Sequence, residues 1–550
     1  MRIPKEPIRR EEFYLDLVRK CTISVEPRKT DYAYLRSWYL FGNGPDEAPA
    51  IYNKIYPHTD QLTSFLYSAE TTRFSVDLAA DATPDNMPRT AVAARALNTN
   101  WTTSNADQTF ARGVEWSLAY SSMFIKLVIR NKTVHPYLVE PACIGVLRED
   151  QPYTDRQEAM VHTYYITRSE LYSRLYSHPR RGEIVKRLTS QPHDRTEIAN
   201  GVERIIMSQT DPTLYGNVNL DLSGMNRYKA DVAEPTVEMR ELWVWNDETH
   251  DYQVVTIADP DVVIYDRGGK EMFLPGELPF VQICPNPLYD YFWGASEVQR
   301  LIYLQQLRNR RMTEILDLLS KQVTPPKALS GFVGIIDEKN FALNRAGGIL
   351  AMGEGNGKVD DFAPKIPEDL FREITEIDHM FEEASGIGNV LQGRGEAGVR
   401  SSGHASQLAR LGSSRAKKRA LVIEDSLEKL ATLYLKCMRR YDDTHYTDEK
   451  GKPFILEQLS DDFVVKVDAH SNSPIFTEDL KDLAFNLFKN KVIDRESLLD
   501  LVEPPMKQLL KDRLKKQEDR EAAAAKQEAA AQAPKPPPQA EQAPQLKQVK

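Results

Sequence analysis

Gly393–Arg394–Gly395–Glu396–Ala397–Gly398 carries the spacing G-x-G-x-x-G, the pattern that lets backbone amides approach a pyrophosphate. That chemistry also needs a strand before the glycines, a helix of ordinary length after them and a second strand ending in an acid. Here an acidic helical pattern precedes, a very long one follows, and no second strand comes next. Met352–Gly353–Glu354–Gly355–Asn356–Gly357–Lys358–Val359 approaches a phosphate loop but lacks its first glycine and the Ser/Thr after the lysine. The hydroxyl that would hold magnesium is therefore missing. Ten histidines form no H-E-x-x-H and no zinc spacing with cysteine. His379, beside Asp378, reads as a structural partner and not a base. No G-x-S-x-G elbow occurs, and the sequons at Asn100 and Asn131 would matter only on secretion. The sequence thus predicts no catalytic residue, no metal site and no cofactor. A nucleotide-using enzyme built on Gly393–Gly398 stays as one alternative, and a structural protein without a channel as another.

Composition narrows the class. A chain of 550 residues is long enough for two to four packed domains, and 41% apolar with 27% charged residues is ordinary for a soluble globular protein. A net charge of −9 argues against holding nucleic acid by bulk attraction, though not against nucleic acid that must move freely. Cys21, Cys143, Cys284 and Cys437 are scattered, which predicts buried thiols in a reduced compartment. The N-terminus has no apolar signal region and no stretch is long and apolar enough to span a bilayer, so the chain is expected to work without crossing a membrane.

The elements that position these groups read as follows. Residues 1–290 are mixed α and β, with helices around Glu11–Lys20 and Asp31–Phe41, short strands in 117–148 turning at Asn131–Lys132, and a helix over Arg168–Leu188 interrupted at His178–Pro179. From Thr236 alternation predicts a run of strands, TVEMRELWVW, YQVVTIA, DVVIYD and PFVQIC, hence an α+β region with antiparallel sheet. A rod of helix then runs from Gly294 to Val323, opened by Ser296 and Gln299 as a capping box and ended by Thr324–Pro325–Pro326. Its middle is polar, with Arg308, Arg310 and Arg311 on a face that is either solvated or pairs with another subunit. Residues 327–366 read as a compact insert with strand-like pieces. Pro367 starts a second rod to Ser385, with an apolar stripe at Leu370, Ile374, Ile377, Phe381 and Ala384 and seven acids against a single arginine elsewhere. Opposite charge lets the two rods pair.

After Ser385 comes GIGNVLQGRGEAGVRSSG, with Gly386, Gly388, Gly393, Gly395, Gly398 and Gly403. Such glycine density permits motion or close approach to another surface, or only a tight turn. A third long helix from near Ser401 past Arg440 repeats Ala416, Ala420, Ile423, Leu427, Leu430, Tyr434, Cys437 and Tyr441 at heptad spacing, which predicts a core helix. A strand-like DFVVKVD, shorter helices near 478–490 and 495–502, a final helix from Pro504 and a tail at 533–550 without apolar periodicity complete the chain.

In order, the mixed domain, long helix, insert, returning helix, glycine-rich loop, long helix and helical C-terminus resemble the portal proteins of tailed bacteriophages. The pieces that carry the resemblance are EPRKTDYAYLRSWYLFG (26–42), NPLYDYFWGASEVQRLIYLQQLRNRR (286–311) and EASGIGNVLQGRGEAGVRSSGHASQLARLGSSRAKKRA (383–420). The resemblance implies a ring, usually a dodecamer, at one capsid vertex, assembled in the host cytoplasm. It implies a wing (1–290), first stem helix (291–323), clip (324–366), second stem helix (367–385), tunnel loop (386–400), long wing helix (401–445), helical crown (446–531) and disordered tail (532–550). Double-stranded DNA would pass through the ring, with the terminase large subunit docked on the clip and the major capsid protein and head–tail connector or tail proteins as further partners. Gln392, Arg394, Glu396 and Arg400 would be the loop side chains facing DNA, and Arg308, Arg310 and Arg311 subunit contacts.

Overall fold

Alternation from Thr236 onward supplies three strands of a five-stranded antiparallel sheet in the computed structural model of the chain. The structure describes residues 1–45, 50–68, 72–78, 87–188, 236–330, 349–352, 358–361, 365–385, 414–447, 453–460, 462–467, 484–490, 492–502, 510 and 513–514. The sheet runs Ile144–Val146, Ala159–Thr167, Thr236–Asn246, Asp251–Ala258, Val262–Gly268 in spatial as well as chain order. One face is covered by helix α1 (Pro7–Thr22), whose Tyr14, Leu17, Val18 and Cys21 pack on Val161, Leu242, Val244, Val255 and Ile257. Each fully buried side chain of this size contributes roughly 1.5–3 kcal/mol. Two short helices, Arg168–Arg174 and Arg181–Arg187, break where His178–Pro179 predicted and bury Leu171 and Ile184 over the other end of the sheet.

The strand Phe280–Ile283 does not continue that run. It joins a separate three-stranded sheet with Met123–Arg130 and Thr133–Val139. The hairpin turn is Asn131–Lys132, both at positive φ (51° and 64°), as a two-residue turn needs to match strand twist. The first part of 117–148 is not strand: helix α5 (Ala106–Tyr120) extends through it. Between α1 and α5 lie α2 (Val25–Phe41), α3 (Ile55–Leu66) and α4 (Met87–Thr103); the last two were not foreseen.

Glu297–Val323 is the first rod, Glu368–Ser385 the second and Ser414–Tyr441 the third. At 27 residues and ~1.5 Å per residue the first is ~40 Å long. The third rod's seam from Ala416 to Cys437 is buried, so its heptad is a core repeat. In the insert, Lys327–Ser330 pairs parallel with Ile349–Met352 and antiparallel with Lys358–Asp361.

The strand Phe463–Val467 pairs antiparallel with Phe74–Leu78. The described residues of 446–467, grouped above with a helical crown, are therefore mainly strand and 3-10 turn, and Phe463–Val467 joins the N-terminal part because Phe463, Val465 and Val467 alternate inward. The first compact unit accordingly runs Met1–Ile475 and the second Phe476–Lys550, where helices at 484–489 and Arg495–Val502 are described. The tail at 533–550 lies outside the described residues.

Candidate functional site

The paired rods are where the predicted site residues can be located, and their position starts from a glycine. Gly294 sits at φ +72°, and a Cβ there would lie 2.4 Å from Cys284 Sγ, so only glycine makes this turn unstrained. Ser296 then caps the first rod: its Oγ accepts from the Gln299 amide at 3.2 Å and donates to Ala119 O at 2.5 Å. The cap thus ties the rod to the end of α5. Val298, Leu301 and Ile302 bury against Leu35, Trp38, Tyr39 and Ile55, and the second rod adds Ile377 and Phe381 to the same cluster.

Much of the polar middle of the first rod is buried and not solvated. Gln305 is fully buried; its Oε1 accepts from the Lys54 amide at 3.0 Å and its Nε2 donates to Tyr52 O at 3.0 Å. Asn309 donates to Gly42 O at 2.7 Å. Arg308 is buried, with Nε on Asp378 Oδ1 at 3.1 Å and its guanidinium 4.8 Å from the Tyr52 ring centroid. Lys54 Nζ reaches the same Asp378 oxygen at 2.8 Å. Arg311 bonds Glu373 at 2.9 Å and Glu314 at 2.6 Å. These hydrogen bonds hold the Glu314 carboxyl below its ordinary range and the Arg311 guanidinium above its own. As the first rod ascends from 308 to 311, its partners descend from 378 to 373, so the rods run antiparallel.

Opposite charge therefore pairs the two rods inside one chain. Of the three arginines, only Arg310 remains outward, 75% exposed at its side chain and bonded to Glu314 one turn on. His379 contacts Glu382 at 3.5 Å, whereas its neighbour Asp378 carries the contacts that matter. Gln392, Arg394, Glu396 and Arg400, with Gly386, Gly388, Gly393, Gly395 and Gly398, lie outside the described residues.

Sequence reasoning missed a second anchor. Arg419 of the third rod donates to Glu297 Oε2 at 2.9 Å and to Asn286 Oδ1 at 3.0 Å, with Glu297 fully buried. It also missed a buried cluster between the sheets, where Lys126 bonds Glu241 at 2.7 Å and His162 at 3.3 Å. Burial first, then the Lys126 ammonium, pushes His162 down to about 3. Burial raises Glu241, but Lys126, His162 and the hydrogen bonds from Lys126 and Trp243 together outweigh it and hold the carboxyl low. One signal for Arg308 was present: it lies seven residues from both Leu301 and Ile315, on the apolar stripe.

Chemistry finds little to work with here. Burial pushes the thiols of Cys21, Cys143 and Cys284 up to about 12, so none is a ready nucleophile. Lys358 begins a strand, where a phosphate loop would begin a helix. Among the described residues no group of three or more His, Cys, Asp or Glu is placed to hold a metal, and no helix is long and apolar enough to cross a membrane.

The site is thus an antiparallel pair of long helices in an α+β chain, fixed by internal ion pairs. The family described as "Phage SU10 portal protein" matches residues 94–550, most of the chain, and the chain belongs to that family. Its role is that of a phage portal, a virion component of the head–tail connection and of genome packaging, and the family is structural. No curated protein matches the chain.

Proposed function

We propose that the chain is the subunit of a twelve-membered ring at one capsid vertex, through which double-stranded DNA enters during packaging and leaves during ejection. In this reading residues 1–290 are the wing, 291–323 and 367–385 the stem, 324–366 the clip that docks the terminase large subunit, 386–400 the tunnel loop and 401–445 a long wing helix. The crown begins beyond Ile475. The major capsid protein and head–tail connector or tail proteins are the remaining partners, and the site of action is the virion.

One observation carries the ring. The apolar stripe that buries Leu301 and Ile315 continues up the first rod as Leu319 and Val323, at steps of four residues, and Val323 is 82% exposed. Leu316 and Phe371 are exposed nearby on the two rods. Neighbouring subunits in a closed ring bury such flanks. Arg310 is the arginine proposed for subunit contact, since the chain's own second rod occupies Arg308 and Arg311. In the channel, Arg394 and Arg400 touch phosphates transiently beside Gln392, while Glu396 limits how tightly they hold. The glycines from Gly386 to Gly398 allow that segment to follow the duplex.

Negative-stain electron microscopy of the purified protein tests the ring. Closed rings with a central hole are expected, and a monomer or filament would overturn the reading. Deleting residues 391–398 is expected to spare rings and abolish DNA packaging; full packaging would remove the tunnel-loop assignment. Nucleotide binding by the purified protein would instead revive the enzyme built on Gly393–Gly398.

A further inference from the structure

The two helices between which residues 386–413 run are both fastened to the first rod by charged side chains. On the near side Asp378, two turns before Ser385, accepts from Lys54 Nζ at 2.8 Å and Arg308 Nε at 3.1 Å. On the far side Arg419, in the second turn of the third rod, bonds Glu297 at 2.9 Å and Asn286 at 3.0 Å. Asn286 Nδ2 approaches the same Glu297 oxygen at 3.5 Å. Arg308 and Glu297 are three turns apart on one face of one helix, so the two fastenings share a rigid frame. The start of α3 joins them again. Lys54 sits at its N-cap and the buried His58 one turn on, where burial and then the charges of Arg419 and Lys54 keep the imidazole neutral, down to about 4.

Stability alone explains the far fastening poorly. A buried ion pair is commonly matched or bettered by apolar side chains of similar volume, and its best-attested use is to fix register. Among the described residues Glu297 Oε1 and Arg419 Nη1 are buried without a hydrogen-bond partner, so the pair does not by itself satisfy its own polar atoms.

We propose that Arg419–Glu297–Asn286 and Asp378–Lys54–Arg308 are positioning contacts for the channel. They set the separation and direction of the two helix ends that bracket residues 386–413, so that this segment meets the duplex at a defined place. They touch no DNA themselves. The proposal rests on the assignment of 386–400 to the channel, and its test separates the two.

The test replaces the pair by Glu297→Leu with Arg419→Leu. Three measurements follow: ring yield by electron microscopy, packaged DNA in a phage lacking its own portal gene product, and amide hydrogen exchange over 414–420. Expected are rings in wild-type yield, exchange at least tenfold faster at 414–420, and packaging at least tenfold lower. A purely structural pair would leave packaging per ring unchanged, and that result would overturn the proposal, as would unaltered exchange. Should the double variant form no rings, Arg419→Lys decides. It keeps the charge but loses the two-pronged geometry, and rings with reduced packaging support the proposal while wild-type packaging overturns it. If deletion of 391–398 packages normally, the channel assignment has failed, and exchange at 414–420 still judges the fastening.

Discussion

Replacing Arg308 by alanine is expected to weaken the rod pair far more than the same change at Arg310, although the two lie two residues apart. Arg308 gives a charge-assisted hydrogen bond to Asp378, worth roughly 1.5–3 kcal/mol in a buried setting. Asp378 is a third exposed, which places that contribution near the lower end. Contact with the Tyr52 ring adds about 1 kcal/mol. Lys54 still neutralises Asp378 in the variant, so no anion is stranded. The total is about 2–3 kcal/mol. Arg310→Ala removes a solvent-exposed pair at i,i+4, worth about 0.3–0.5 kcal/mol, and Glu314 keeps Arg311. Urea unfolding of unassembled protein at one fixed concentration, followed by helical circular dichroism, reads both. With a slope of roughly 3 kcal/mol per molar, Arg308→Ala shifts the midpoint by about 0.7–1 M and Arg310→Ala by about 0.1–0.2 M. At 1 M salt the smaller shift disappears and the larger persists. Equal shifts, or the larger one at Arg310, would refute the assignment of burial. Conversely, Arg310→Glu is expected to lower ring yield at a cost in monomer stability of no more than about 1 kcal/mol, whereas reversing Arg308 and Arg311 along with it disrupts the hairpin first.

Histidine linkage gives a pH dependence. His58 and His162 fall from 6.5 to about 4 and about 3 in the folded chain, so below pH 6.5 the unfolded state binds protons that the folded state refuses. Stability is therefore full above pH 6.5 and is lost as pH falls toward 4 and 3; His162→Gln, read by urea midpoints at pH 7 and 5, is expected to flatten that slope. Gly294→Ala is expected to cost roughly 2–3 kcal/mol through its positive φ and the approach to Cys284, while Gly182→Ala, with open space around it, lowers the melting temperature negligibly. Deleting 533–550, which lacks the apolar content to fold alone, is expected to leave ring yield intact and melting temperature nearly unchanged in calorimetry.

Local signals were readable wherever the cause is local. Ser296 and Pro325 bound the first rod because a cap and a proline act within one turn, and Asn131–Lys132 made a hairpin because two positive-φ residues match strand twist. Strand partners were less legible: PFVQIC alternates like its predecessors yet pairs with Met123–Arg130, and DFVVKVD pairs with Phe74–Leu78, nearly four hundred residues away. Alternation specifies a buried face and says nothing of which strand lies beside it.

The sequence by itself determined the α+β class, the three rods, the charge contrast between the first two and the resemblance that the family match upholds. Each follows from periodicity, capping or the order of segments, which are properties of neighbours along the chain. Tertiary structure alone decided that Arg308 and Arg311 face the chain's own second rod, that Arg308 meets Lys54 at Asp378 while Arg311 takes Glu373, and that Arg419 reaches Glu297. An arginine's run of neighbours is the same whether it lies against solvent, another subunit or a carboxylate seventy residues on. Only packing supplies the desolvation that turns one of three similar arginines into a buried anchor and leaves another free to face outward.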